Sequence, residues 1–359
     1  MVRSGRRSGR RSAPGADTGL ATAFQIPHFS SNPDVIPKRR FQMTQPAAHL
    51  DRFPFAHTYS IVARDPNTGE MGAAVQSHWF SVGSVVPWAE AGIGVVATQA
   101  MADISYGPQG LTAMAGNPDV ECVLKSLLAA DENHQLRQVS MLHASGNVYT
   151  YTGSRCIAEA GHVIGNQFSV QANMMLKDTV WHAMAEAYEK SRGALSDRMM
   201  AALEAAQAEE GDIRGMQSAA MVIVSGNVTD TPWKEKSLEL RVEDHPAPLA
   251  ELKRLIKVNQ AYEMMNHGDA LISEGKTEQA FEAYNAAAEM APEMDELPFW
   301  QATTMADLGN IDKALPIFKR VFAANPNWAL LLQRLPKAGL FKEDPALMKT
   351  ILDHAMPKK

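Results

Sequence analysis

The stretch TYSIVARDPNTGEMGAAVQS, residues 58–77, has the pattern of a β-hairpin. Its small and polar residues alternate with Tyr59, Ile61 and Ala63, which is the two-residue period of a strand with two different faces. The central segment DPNTGE supplies Asp, Pro, Asn and Gly, residue types that favour a turn. The stretch therefore predicts two antiparallel strands, the first of which begins at Thr58.

The composition is that of a globular protein. The chain has 359 residues, 45% hydrophobic and 21% charged, which is enough for two domains that each bury a core. A formal net charge of −6 gives no general attraction for phosphate, so we expect no nucleic-acid partner. No apolar run approaches the ~18 residues of a membrane span, so we expect no membrane association.

The two cysteines, Cys122 and Cys156, are too few for a disulfide framework or a metal knuckle. This usage fits a reducing compartment and predicts a cytoplasmic protein with two buried structural thiols. The sequence contains no HExxH, CxxC or GxSxG motif and no Gly-rich phosphate loop, and its 11 histidines are scattered. We therefore expect no metal and no cofactor.

Residues 1–52 show no sustained hydrophobic period. The first twelve, MVRSGRRSGRRS, contain five arginines and no acidic residue. This composition predicts a disordered basic leader over 1–52, and Met43 is an alternative start of translation.

Beyond the hairpin, blocks of strand-like sequence alternate with blocks of helix-like sequence. The strand-like blocks are RQVSMLHASGNVYTYTG, GHVIGNQFSVQANMM, QSAAMVIVSG and SLELRVED. Apolar residues recur at helical spacing in PDVECVLKSLLAADE, TVWHAMAEAYEKS and LSDRMMAALEAAQAEEG. Helices placed between blocks of antiparallel strand predict a layered α+β domain, which we place at 53–256.

From Leu249 onward the strand-like pattern ends, and a repeat with an offset of 34 residues follows. This period is typical of a tetratricopeptide helix-turn-helix unit. Two units fall short of the three that a free-standing array normally needs, so we expect this all-α domain, 257–359, to pack on the first domain or on a second copy. The matching positions are Gly275 and Gly309, Ala280 and Ala314, Tyr284 and Phe318, and Pro292 and Pro326.

Thr58 is the candidate nucleophile. A Thr hydroxyl reacts poorly at neutral pH unless a base activates it, and the α-amino group of the same residue, with a pKa near ~8, can serve as that base. The chemistry requires Thr58 to be the first residue of the chain. Substrate-binding or oxyanion groups would come from polar residues just outside the predicted sheets, namely Ser60, Ser77, Gln99, Asn173, Arg214, Gln217 and Ser218.

Each of these residues also has a purely structural interpretation. Ser60 and Ser77 are compatible with ordinary strand hydroxyls, Asn173 with a turn, and Arg214 with an ion pair to Asp212.

Six segments, in order, resemble the bacterial family known as domain of unknown function 1028, from Thr58 to Ile256. They are TYSIVARDPNTGEMGAAVQS, VVPWAEAGIGVVATQA, SYGPQGL, GHVIGNQFSVQANMM, GDIRGMQSAAMVIV and LELRVEDHPAPLAELKRLI. That family looks like a branch of the N-terminal nucleophile (Ntn) hydrolases. The resemblance implies an αββα sandwich of four layers, followed here by the small all-α repeat domain, and it implies amide cleavage with Thr58 as the nucleophile. Some members carry a similar C-terminal helical extension, once suggested to bind peptidoglycan.

Fifty-seven residues precede Thr58, and His57 stands where self-cleaving relatives often have Gly. Three explanations stay open: a downstream translation start, a protease that removes the leader, or a fold without this chemistry. The expected function is an Ntn-type amidohydrolase that acts on a small-molecule or peptide amide. The alternative is a non-catalytic binding or assembly protein whose helical repeats hold a peptide, protein or peptidoglycan partner. The 20 methionines are compatible with a homo-oligomer.

Overall fold

The structure is a computed structural model, and it describes residues 55–56 and 58–356. The predicted leader at 1–52 lies outside the described residues. The strands are β1 (Phe55–Ala56), β2 (Thr58–Arg64), β3 (Met71–Ser77), β4 (Pro87–Glu90), β5 (Gly94–Met101), β6 (Arg137–His143), β7 (Val148–Thr152), β8 (Gly161–Gly165), β9 (Phe168–Ala172), β10 (Ser218–Val224) and β11 (Lys236–Val242). The α-helices are α1 (Tyr106–Gly116), α2 (Val120–Ala130), α3 (Val180–Lys190), α4 (Leu195–Ala208), α5 (Pro248–Ser273), α6 (Thr277–Met290), α7 (Glu296–Asp307), α8 (Ile311–Ala324), α9 (Asn327–Leu332) and α10 (Pro345–Ala355).

The hairpin predicted at 58–77 is confirmed as β2 and β3. The two strands are antiparallel, and Thr58 pairs with Ser77 at their open end. At the turn, Asp65 Oδ1 accepts a hydrogen bond from the backbone N–H of Asn67 at 2.7 Å, which closes the loop as its sequence predicts.

The strands form two antiparallel sheets. One has six strands in the order β11-β10-β3-β2-β9-β8, with β2 near its centre. The other has five strands in the order β1-β5-β6-β7, and β4 also pairs with β5. Thr58, Ser77, Ala172 and Gln99 all lie at one end of the sandwich, since the strands that carry them begin or end there. We call this the Thr58 end.

Apolar side chains hold the layers together. Between the two sheets, Val62 and Val75 of the six-stranded sheet pack against Val95 and Leu142 of the other. The outer face of the six-stranded sheet packs on α3 and α4, and the outer face of the five-stranded sheet packs on α1 and α2. These two sheets and four helices therefore form an αββα sandwich of four layers, which the family resemblance implies, and each sheet buries both of its faces.

The C-terminal region is all helical, and α5 joins it to the sandwich. In its first half, Leu249, Leu252 and Ile256 pack into the core beneath the six-stranded sheet. In its second half, Ala261 and Met265 pack against α6. The predicted boundary between 256 and 257 thus falls inside a continuous helix of 26 residues.

The repeat pattern places α6 and α8 in equivalent positions. Gly275 and Gly309 precede these helices with φ values of +75° and +85°, a left-handed conformation that favours glycine. After Pro326 the chain forms two further helices, α9 and α10, with a 3₁₀ turn at Pro336–Ala338 between them. Among the helices of the described residues, none combines the length and the hydropathy of a membrane span.

Candidate active site

Thr58 is the first residue of β2, and its side chain is fully buried. Its hydroxyl donates a hydrogen bond to Ser77 Oγ, with 3.1 Å between the two oxygens. This contact follows directly from the register of the hairpin, in which Thr58 and Ser77 face each other on the side that points toward the second sheet.

The carbonyl oxygen of Thr58 accepts hydrogen bonds from two residues. Gln99 Nε2 of the opposite sheet donates at 3.0 Å, and the backbone N–H of Asn173 donates at 3.1 Å. Asn173 Nδ2 lies farther away, at 3.4 Å. The backbone of Thr58 is therefore fixed by an amide from each sheet, and both Gln99 and Asn173 are fully buried.

Gln138 lies behind this arrangement and joins its members. Its Oε1 accepts from Gln99 Nε2 at 2.8 Å and from Asn173 Nδ2 at 3.0 Å. Its Nε2 donates to Thr152 Oγ1 at 2.9 Å and to the carbonyl oxygens of Gly161 and Ala172 at 3.1 and 2.9 Å. The sequence patterns did not point to Gln138, because its partners come from distant parts of the chain.

Ser60 extends the same network deeper between the sheets. Its hydroxyl donates to Gln99 Oε1 at 2.6 Å and accepts from Gln171 Nε2 at 3.2 Å. Gln171 Nε2 also donates to the carbonyl oxygen of Ala97 at 3.0 Å. The structure thus brings Ser60, Ser77, Gln99 and Asn173 together around Thr58.

The remaining candidates occupy neighbouring loops at the Thr58 end. Arg214 forms an ion pair with the buried carboxylate of Asp212, with Nη2 2.7 Å from Oδ2, as the alternative interpretation of the sequence proposed. The same carboxylate oxygen also contacts the hairpin, because Asp212 Oδ2 accepts a hydrogen bond from the backbone N–H of His78 at 3.3 Å. Arg214 is therefore tied to the residue that follows Ser77.

Gln217 and Ser218 make side-chain contacts away from Thr58. Gln217 Nε2 donates to Asp244 at 3.1 Å. The hydroxyl of Ser218 donates to the carbonyl oxygen of Trp79 and accepts from the backbone N–H of Val82 at 3.1 Å. These contacts fix the loop that follows β3, and the backbone N–H of Gln217 donates to the carbonyl oxygen of Ser77 at 3.1 Å.

Charge and burial shift several pKa values around this network. Burial, together with the nearby charge of Asp212, raises the pKa of Tyr59 well above its ordinary value. Burial lowers the pKa of His162, so its imidazole is neutral at pH 7. The Nδ1 atom of His162 lies 2.8 Å from Thr152 Oγ1. Both groups are thus uncharged at neutral pH.

The Arg137 guanidinium, which is 1% exposed, forms an ion pair with Asp131, with Nε 2.7 Å from Oδ2. Burial raises the pKa of Asp131, but the hydrogen bonds and charge of Arg137 outweigh burial, so the pKa lies below its usual value.

The prediction of two buried thiols is wrong for both cysteines. Cys122 is exposed on α2, because it falls on the outward face of that helix, and Cys156 is only partly buried in the loop after β7. Burial still raises the pKa of the Cys156 thiol to about 11. Within residues 58–356, no group of three His, Cys, Asp or Glu side chains is placed to hold a metal ion.

Comparison with known proteins gives the family. A family of unknown function, DUF1028, matches residues 58–252, more than half of the chain. The chain belongs to the DUF1028 family. A tetratricopeptide-repeat family matches residues 271–335. A comparison with curated proteins finds none that matches.

A crystal structure of the DUF1028-family protein SPO2555 from Silicibacter pomeroyi is similar to this chain, with 28% sequence identity and a TM-score of 0.50. The match covers 56% of this chain and 88% of that chain. The DUF1028 match begins at Thr58 and ends in α5, so it includes the whole sandwich from β2 onward.

Proposed function

We propose that this DUF1028 protein is an Ntn-type amidohydrolase whose nucleophile is Thr58, exposed as the N-terminal residue after removal of residues 1–57. One observation carries the proposal. Thr58 opens the central hairpin with its hydroxyl 3.1 Å from Ser77 Oγ, while amides from both sheets fix its carbonyl oxygen. A nucleophile needs this degree of fixation because a small displacement of the reacting atom lowers the rate strongly.

In the proposed reaction, the α-amine of Thr58 takes the proton of the hydroxyl, and Oγ1 attacks the carbonyl carbon of the substrate amide. The oxyanion is held by N–H donors near Asn173, and the C–N bond breaks as the amine proton passes to the leaving nitrogen. A water molecule then releases the acyl group from Oγ1. Ser77 orients the hydroxyl, Ser60 and Gln99 fix the strand, and Arg214, Gln217 and Ser218 shape the loops that meet the substrate.

The test is the identity of the N-terminal residue together with activity. Mass spectrometry of the protein from its native cell should give a chain that begins at Thr58. A panel of acyl amides should be hydrolysed by that form, with a loss of about a thousandfold or more for Thr58→Ala and partial retention for Thr58→Ser. Thr112→Ala, on the exposed surface of α1, is the matched control and should keep full activity. A native chain that keeps residues 1–57, or an active Thr58→Ala variant, contradicts the proposal.

A second function rests on the helical region. A groove of 530 Å³ lies between α6, α7 and α8, and Asn285, Gln301 and Arg320 line it. Its residues fall within the tetratricopeptide match, a repeat that commonly holds partner peptides. In this case the chain would be a binding or assembly protein for a peptide, protein or cell-wall fragment. Arg320→Glu should then reduce partner capture by a pull-down assay and leave amide hydrolysis unchanged.

A further inference from the structure

Three loops at the Thr58 end expose aliphatic side chains. Ile157 is 44% exposed, Leu176 is 45% exposed and Ile213 is 57% exposed, and Met174 beside them is half-buried. We call these four residues the apolar rim. Single exposed apolar residues are common on protein surfaces and do not indicate a function by themselves. Only their arrangement can indicate a binding surface.

Backbone hydrogen bonds join the loops of the apolar rim into one surface. The N–H of Met174 donates to the carbonyl oxygen of Ile157 at 2.9 Å, and the N–H of Ile213 donates to the carbonyl oxygen of Met174 at 3.2 Å. The N–H of Leu176 donates to the carbonyl oxygen of Gly211 at 3.0 Å. The backbone segments that carry the four residues are therefore fixed relative to one another.

The apolar rim is also fastened to Thr58. Asn173, which directly precedes Met174, donates its backbone N–H to the Thr58 carbonyl oxygen at 3.1 Å. Asp212, which directly precedes Ile213, accepts from the backbone N–H of His78, next to Ser77.

The backbone of Met174 is strained. Its φ of +58° is a left-handed conformation that residues with a side chain rarely adopt. Such strain persists where the surroundings impose it and is concentrated at functional sites. The imposed conformation supports a role for this loop beyond packing.

Exposed apolar residues also occur at the opposite end of the sandwich, where Ile164 is 42% exposed at the far end of β8. No contact of that kind ties Ile164 to Thr58 in the described part of the chain, because β8 runs away from the Thr58 end. Exposed apolar residues thus occur at both ends of the sandwich. The loops of the apolar rim are hydrogen-bonded to Thr58 or to its neighbours, whereas Ile164 is not. This difference also makes Ile164 a matched control.

We propose that the apolar rim binds the hydrocarbon chain of the acyl group, so that the substrate is an amide of an aliphatic carboxylic acid. This inference rests on the proposed function of Thr58. The four side chains are all apolar, and the charges of two neighbouring ion pairs, Asp212 with Arg214 and Lys177 with Glu210, offset each other, so the rim side chains offer dispersion contacts. We assign the acyl part of the substrate to the apolar rim because it takes part in both steps of the reaction, whereas the amine leaves after the first step.

The first test measures kcat/KM for acyl amides of a fluorogenic amine, from acetyl to hexanoyl, with protein that begins at Thr58. Full burial of a methylene is worth about a fourfold gain, and half burial on an open surface about twofold, so four added methylenes should give about a 16-fold rise. In Leu176→Ser/Ile213→Ser the rise should fall below about fourfold, whereas Ile164→Ser should keep the full rise. A series in which the chain lengthens on the amine side should show no rise.

The second test separates this inference from the proposed function. Calorimetry measures how tightly the acetyl and hexanoyl amides bind to a chain that begins at residue 58 and carries Thr58→Ala. This measurement needs no catalysis. This chain lacks the two-residue strand β1, which pairs with β5, so circular dichroism of the shortened chain is the control for its fold. Tighter binding of the hexanoyl amide, lost in the Leu176→Ser/Ile213→Ser variant, supports the apolar rim even if no amide is cleaved.

Three results would overturn the inference while leaving hydrolysis by Thr58 intact: affinity that does not depend on acyl length, equal length dependence in the variant and parent, or a dependence confined to the amine side. A fourth is a drop in particle mass for the variant in sedimentation, since the apolar rim would then be an interface between two copies.

Discussion

Replacing Gln138 by leucine tests whether the buried amide network stabilises the sandwich. Gln138 is fully buried between the sheets, and leucine has nearly the same volume, so the change removes polar atoms without opening a large cavity. Its Oε1 accepts two hydrogen bonds, from Gln99 and Asn173, and the two hydrogens of its Nε2 are shared among three acceptors, with all five distances between 2.8 and 3.1 Å. Gln138→Leu removes all of them.

The expected loss follows from these contacts. A buried hydrogen bond contributes about 1 kcal/mol net. Because an amide NH2 group has two hydrogens, the three acceptors around Nε2 share two hydrogen bonds, so the four bonds of the side chain amount to about 4 kcal/mol. Burial of the leucine side chain returns about 2 kcal/mol. Gln99 Nε2 and Asn173 Nδ2 each keep the Thr58 carbonyl oxygen as an acceptor, at 3.0 and 3.4 Å, so neither amide is left without a partner. The free energy of unfolding should therefore fall by about 2 kcal/mol.

The assay is urea unfolding followed by circular dichroism. Gln109→Leu is the matched control because the same change falls on the exposed surface of α1, where it should alter the free energy of unfolding by less than about 0.5 kcal/mol. Equal effects of the two substitutions would refute the reasoning. So would a stabilised Gln138→Leu protein, since the network would then cost more than it contributes.

Two further outcomes follow from local geometry. In Gly161→Ala the new Cβ would lie 2.5 Å from the Trp181 ring, so the free energy of unfolding should drop by about 1–3 kcal/mol. Gly116→Ala, with open space around it, should be neutral or slightly stabilising in the same urea unfolding assay. Because the folded pKa of Asp131 lies below its unfolded value of about 4, the carboxylate stabilises the fold above that pH and loses its contribution as pH falls through the folded pKa. Asp131→Asn should thus lower the free energy of unfolding by about 2 kcal/mol at pH 7, because Arg137 loses its nearest opposite charge. In urea unfolding at a series of pH values, the difference from the parent should shrink below about pH 4. A difference that does not change with pH would contradict the assignment.

Local patterns account for the parts of the fold that could be predicted from the sequence. The hairpin at 58–77 contains both strand faces and its own turn, and the 34-residue offset is visible without any knowledge of contacts. In contrast, α1 has no helical signal in its sequence, YGPQGLTAMAG, because glycine and proline disfavour helices. There, Gly107 lies so close to Trp88 that an added Cβ would be 2.3 Å from the indole, and this tertiary contact outweighs propensity.

The candidate site was predictable only in part, for a similar reason. Ser77 is opposite Thr58 because of hairpin register, which the sequence gives directly. Gln138 bonds to residues that are 14 to 39 positions away in the sequence and lie on four other strands and the loop after β9, so nothing local identifies it. The apolar rim is equally hidden, because its three loops meet only after both sheets have formed.

The interior between the sheets changes character along the strands, and this change bears on function. On β2 the inward-facing residues pass from Thr58 and Ser60 to Val62, and on β5 they pass from Gln99 to Val95, so the buried amides of these strands lie toward the Thr58 end. Hydroxyl groups of Ser140, Thr150 and Ser169 continue the polar contacts to the middle of the sheets. Apolar packing at the other end shows that the two sheets do not need amides to adhere. Adhesion of the sheets therefore does not explain why the amides lie at the Thr58 end. The need to fix the backbone of Thr58 explains their position, because Gln99 reaches the Thr58 carbonyl oxygen across the gap between the sheets. No backbone hydrogen bond within one sheet can span that distance.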